Sequence, residues 1–220
     1  MHDHDSAASA LAAATLIALL VAVCVLLGLG LRRHDWRGLL FVGACIGTVF
    51  QLGHFAEHVA QAGYWARHPS EAPWMTPWAG ALAESFGALA PPTPGFGMEA
   101  MHLVGNAIFL AGAAAMLAVL SRIGSPGSTR LARAGVLVQT VHVVEHVALT
   151  ASVALSGRAI GVSTMFGTLD PGRVLWTYRV WWHLTINAMA TTMLLLAIAR
   201  RSRAQEAVAT ASCTPALARS

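Results

Sequence analysis

Gln51-Leu52-Gly53-His54-Phe55-Ala56-Glu57-His58-Val59-Ala60 and Gln139-Thr140-Val141-His142-Val143-Val144-Glu145-His146-Val147-Ala148 write one pattern, Gln-x-x-His-x-x-Glu-His-Val-Ala, twice. Two further pairs follow in the same order. His102-Leu103-x-x-Asn106-Ala107 matches His183-Leu184-x-x-Asn187-Ala188, and Phe86-Gly87-x-Leu89-x-Pro91 matches Phe166-Gly167-x-Leu169-x-Pro171. The separations are 142 − 54 = 88, 166 − 86 = 80 and 183 − 102 = 81 residues, so one unit is repeated with one connection shortened. Each unit is a span, a long connection and a second span, and both units run in the same direction. That predicts two parallel two-helix repeats related by a pseudo-twofold axis along the membrane normal.

Composition sets the class. Of the 220 residues 56% are hydrophobic and 11% charged, and mean hydropathy is +0.60. A soluble domain carries roughly one-quarter charged residues, so the chain reads as an all-α integral membrane protein. The formal charge of +4 comes with fourteen basic residues that are all arginine, most of them in short clusters beside apolar spans. This pattern orients a membrane protein and is not a nucleic-acid groove. Cys24, Cys45 and Cys213 form no CxxC pair or disulfide framework, which argues against a thiolate-bound metal.

Five stretches approach the roughly 20 residues that cross a bilayer: 7–31, 39–62, 98–120, 134–155 and 180–199. The first has no positive segment before it and is followed by Arg32-Arg33, so it is expected to persist as an additional N-terminal helix outside a four-helix core. Arg32, Arg33 and Arg37, then Arg122, Arg130 and Arg133, then Arg200, Arg201 and Arg203 follow spans one, three and five. By the positive-inside rule these segments are cytoplasmic, the N-terminus lies outside and the C-terminus inside a cytoplasmic (inner) membrane. The connections 63–97 and 156–179 are then outer loops, and their Trp65, Trp74, Trp78 and Trp176 suit an interfacial belt. Residues 200–220 read as a mobile cytoplasmic tail within one membrane domain.

Six histidines and two glutamates thus stand within apolar spans, where a charged side chain costs roughly 2.5 to 3.5 kcal/mol or more and normally marks a function. On a helix, positions i, i+3 and i+4 share a face, so His54, Glu57 and His58 point together, as do His142, Glu145 and His146. His102 and His183 enter at the same depth from the descending spans, placing all eight groups in the outer half of the membrane. Imidazole suits iron, copper and zinc, and carboxylate adds charge neutralisation. The expected centre is therefore two transition-metal ions, iron first and copper or zinc next, held by His54, Glu57, His58, His102, His142, Glu145, His146 and His183. Glu57 and Glu145 are the candidate catalytic bases. Gln51, Gln139, Asn106 and Asn187 are expected to fix the imidazole rings or to act as polar contacts between helices, with Gln61 one turn beyond.

Other candidates are set aside as ordinary: Met1-His2-Asp3-His4-Asp5 as a solvated terminus, His34 and His68 as interfacial, and Glu84, Glu99, Asp170, Arg173 and Arg179 as solvated loop charges. The first functional reading is a non-haem oxidoreductase or oxygenase acting on a lipophilic substrate, with electrons supplied by a separate donor. Histidine clusters on several membrane helices resemble in general form the integral-membrane alkane hydroxylases and desaturases. Those families use HxxxH and HxxHH boxes on the cytoplasmic side, so no residue role is carried over. The alternatives are zinc-dependent intramembrane hydrolysis, since HxxEH is also a zinc order with glutamate as base, a transition-metal carrier or sensor, and a haem b electron-transfer protein.

Overall fold

The computed structural model describes residues 3–32, 37–68, 74–89, 93–165 and 173–213. Met1, His2, His34, Pro91 and the whole Phe166-to-Pro171 copy of the loop motif fall outside the described residues, as do the side chains of 3–10, 173–177 and 207–213. Within them every regular element is helical: α1 (Asp3–Arg32), α2 (Arg37–Arg67), α3 (Pro77–Gly87), α4 (Phe96–Ile123), α5 (Pro126–Ser156) and α6 (Arg173–Cys213), with a 3₁₀ turn at Val162–Thr164. Five of them, all but α3, are long and apolar enough to cross a membrane.

The helices begin and end where local chemistry directs. Ser125 accepts a hydrogen bond from the Ser128 amide with Pro126 behind it, and Thr76 accepts from the Ala79 amide with Pro77 behind it. Both are side-chain caps followed by a proline at the first helical position, where its missing N–H is no loss. Gly157 ends α5 at φ 70°, a left-handed conformation that glycine adopts without penalty. Three boundaries differ from the sequence expectation. The connection 63–97 contains α3, begun by the Thr76-Pro77 cap. α5 starts at Pro126, so the turn after α4 is only Gly124-Ser125. The segment read as a tail from residue 200 continues α6 to Cys213, because Ala204-Gln205-Glu206-Ala207 consists of strong helix formers.

Helices α2, α4, α5 and α6 close a ring in which α2 packs on α4 and α6, and α5 packs on α4 and α6. α1 lies outside against α2, α4 and α3. One end of the ring is apolar, filled by Leu40, Ala44, Phe109, Met116, Leu120 and Leu194 among small alanines. α2 and α4 approach most closely at Gly47 and Gly112, where a Cβ added to Gly112 would stand 2.5 Å from the Gly47 Cα. Only glycine at both positions permits that separation. The other end of the ring holds the repeated motifs, and α3 and the 3₁₀ turn cover it.

Candidate metal centre

All six motif histidines meet in one layer. Neighbouring ring centroids are 4.6 to 6.3 Å apart, and the cluster is continuous across the two units. The contacts come in matched pairs. His54 and His58 place their Nε2 atoms 3.1 Å apart, and His142 and His146 place theirs 3.2 Å apart. His58 stacks on His183 at 5.7 Å, and His146 on His102 at 5.4 Å. Two nitrogens each about 2.0–2.1 Å from one tetrahedral ion would stand about 3.3 Å apart, so both helical pairs are spaced as neighbouring ligands of an ion.

Ring orientation is set locally. The Nδ1 of His102 bonds the Met98 carbonyl at 2.7 Å, and that of His183 bonds the Arg179 carbonyl at 2.8 Å. A carbonyl only accepts, so each Nδ1 carries the proton and each Nε2 keeps its lone pair. His58 Nδ1 is held likewise by Gln61 Oε1 at 3.1 Å, and Gln61 in turn donates to Glu57. Gln61 thus has the orienting role expected of the other amides.

Those amides act differently. Gln51 donates to Asn187 Oδ1 at 2.9 Å and to Thr191, while Gln139 donates to Asn106 Oδ1 at 2.9 Å and to its carbonyl. Asn106 and Asn187 donate to the backbone carbonyls of His102 and His183. The four amides form a buried polar floor that ties α2 to α6 and α5 to α4 beneath the imidazoles. No described bond joins any of them to a ring nitrogen, so of the two roles expected for them the bonds are those of polar contacts between helices.

The two motif glutamates also take a different part from the one expected. Glu57 accepts from the Thr76 amide at 3.0 Å, from the Thr76 hydroxyl, and from Gln61. Glu145 accepts from the amides of Val162 and Ser163 at 2.8 and 2.7 Å. Each carboxylate therefore anchors the connection that covers the site, one through the α3 cap and the other through the 3₁₀ turn. Carboxylate oxygens holding such charge-assisted bonds have fewer lone pairs left for an ion or a proton. Glu145→Ala is expected to loosen residues 157–165 and speed their proteolysis several-fold while metal stoichiometry stays unchanged. Limited proteolysis with elemental analysis of the same sample tests this, and loss of metal would restore Glu145 to the ligand set.

Two charges expected to be solvated are instead part of the centre. Glu99 is 1% exposed and ion-paired with Arg179, and its second oxygen lies 3.9 Å from His146 Nδ1. The register hides them: Glu99 and Arg179 stand three and four residues before His102 and His183, the helical spacing of one shared face, yet near span ends where loop charges are common. Because leucine occupies position 149, where the first unit has Gln61, Glu99 is the polar neighbour left for His146 Nδ1.

Unpartnered buried atoms test whether a cation fits. Buried polar groups nearly always find a partner, yet among the described residues His183 Nε2, the nitrogen left with a lone pair by the Nδ1 bond to the Arg179 carbonyl, has no hydrogen-bond partner. His142, His146 and His183 also offer ring nitrogens that all lie within 4.8 Å of one another. The three come from one repeat unit and are buried, so an ion would be held within a unit. The donor set fits a transition-metal ion.

A family model described as "Family of unknown function (DUF6008)" matches residues 1–219. No curated protein and no solved structure matches the chain.

Proposed function

The chain belongs to the DUF6008 family, and for this member we propose an integral membrane metalloprotein that binds two transition-metal ions on six imidazoles and serves as an oxidoreductase toward a lipophilic substrate. The observation that carries the proposal is the buried triad His142, His146 and His183, whose ring nitrogens lie within 4.8 Å of one another and whose His183 Nε2 has no hydrogen-bond partner. His54, His58 and His102 form the corresponding set in the other half. The paired 3.1 and 3.2 Å Nε2 separations and the paired Gln–Asn bonds support reading the four-helix ring as a pseudo-twofold bundle. The arginine clusters support placing the centre in the outer half of a cytoplasmic membrane.

With Glu57 and Glu145 engaged by the connections, the donors are imidazoles. Imidazole donors suit iron, copper and zinc alike, and iron stays first in this reading with copper or zinc next. Glu57, Glu99 and Glu145 against Arg179 give a formal charge of −3 + 1 = −2 around the cluster, which offsets part of the ions' charge. The ions would supply electron transfer. The chain would supply ring orientation through Met98, Arg179 and Gln61, and exclusion of water by the two anchored connections. Electrons would come from a separate donor, as no nucleotide loop or CxxC pair is present in the sequence.

Three other readings fit less well. A zinc hydrolase can use three histidines, but its general base would have to be a glutamate already bonded to a connection. A carrier needs a path, and the apolar end of the ring offers none among the described residues. A haem would have to part rings that lie 4.6 to 6.3 Å from one another. Elemental analysis and an absorption spectrum of the detergent-purified full chain test the proposal. Close to two equivalents of copper or iron are expected. Zinc alone would select hydrolysis, a Soret band haem, and uptake of labelled metal by sealed vesicles a carrier. No binding after loading with all three metals would end the metal reading.

A further inference from the structure

The two halves are not equivalent around their histidines. Beside the first half lies a cavity of about 250 Å³, walled by Leu16 of α1, Gly53 and His54 of α2, Trp78 of α3, and His102 and Gly105 of α4. An apolar cavity of roughly 150 Å³ admits benzene, so this one holds a somewhat larger molecule. Its wall is apolar except for the imidazoles, the indole N–H and Glu57, and Glu57 is bonded to Thr76 and Gln61. It contains no cationic group that would recognise an anion.

In the second half the histidines are walled off at the same register. Where the first half has Gly53, Met101 and Gly105, the second has Val141, Trp182 and Ile186. The corresponding groove, of about 600 Å³ and lined by Val141, Glu145 and Trp182, reaches none of the six histidines. A Cβ built on Gly53 meets nothing within 4 Å, so this glycine opens onto empty space. α1 and α3 pack on the first half and on each other, and they supply the rest of the enclosure.

We infer that the halves have divided the work: His142, His146 and His183 form the tighter metal-holding half, while the first half binds a neutral, predominantly hydrocarbon molecule against His54 and His102. The inference rests on the metalloprotein reading and names its substrate class. The molecule reaches the cavity from the lipid phase, and its reactive position faces the two imidazoles on the metal side.

The test uses trifluoromethylbenzene with the full chain in lipid nanodiscs, followed by ¹⁹F NMR, with metal content measured on the same samples. A saturable shift at one equivalent is expected for the wild-type chain. Gly53→Phe should abolish it while metal content is unchanged, and Gly53→Leu serves as a smaller filler should the phenylalanine variant fail to fold. Val141→Phe, at the matching position of the other half, should leave binding as it was. Partition without saturation, or saturation indifferent to both Gly53 substitutions, overturns the inference even when the metal is present. Saturable binding to a chain that takes up no metal would leave the cavity standing and remove the redox reading alone.

Discussion

Alanine at His146 is expected to empty the tighter metal site. The side chain is fully buried, its Nε2 stands 3.2 Å from that of His142, and its Nδ1 faces Glu99 at 3.9 Å. Groups that merely orient a ligand change affinity by about 10- to 100-fold when removed, so loss of an actual ligand should exceed about 100-fold. Titration against a competing chelator should show one equivalent lost and the other kept, because His54, His58 and His102 lie on other helices. His183→Ala should give the same result, and His68→Ala, outside the cluster, should give none. Wild-type stoichiometry and affinity in both His146→Ala and His183→Ala would remove these residues from the ligand set.

Gly112→Val should produce the largest loss of stability. Its Cβ would lie 2.5 Å from the Gly47 Cα and 3.2 Å from the Gly43 carbonyl, backbone atoms that cannot turn aside as a side chain does. Overpacking a core ordinarily costs about 1–3 kcal/mol, and a clash with backbone places this substitution at or above the top of that range. The helices forced apart are α2 and α4, which carry His54, His58 and His102, so the loss should be accompanied by a fall in bound metal from two equivalents to one. Gly135 provides the contrast. It matches Gly47 in the repeat, but its Cβ would meet Met193 Cβ at an ordinary 3.5 Å, so Gly135→Ala should be nearly neutral. Thermal unfolding in detergent with metal analysis checks both, and equal stability of the two variants would refute the packing argument.

The separation between what could be read and what could not follows the range of the interactions. The HxxEH spacing places two imidazoles of each copy on one helical face whatever the surroundings, and the ring nitrogens are indeed 3.1 and 3.2 Å apart. The same spacing presents the glutamate, but whether an acid turns to a metal or to a loop depends on which loop returns to it. Thr76, 19 residues beyond Glu57, and Ser163, 18 beyond Glu145, settled that. The Thr76-Pro77 pair is a local helix-start signal inside the 63–97 connection. Glu99 and Arg179 were readable only as charges, since pairing across 80 residues has no local signature.

By itself the sequence determined that the chain is helical, that five of its helices are apolar enough for a bilayer, and that six histidines recur at matching positions on the spans. Those properties follow from composition and from the helical period, which act within a few residues. The tertiary structure alone decided that the glutamates tether connections, that Glu99 pairs with Arg179 beside His146, and that an apolar cavity reaches the histidines only in the half with glycine in place of valine and isoleucine. These are outcomes of which surfaces meet when four helices close a ring, and the close approach at Gly47 and Gly112 sets part of that geometry.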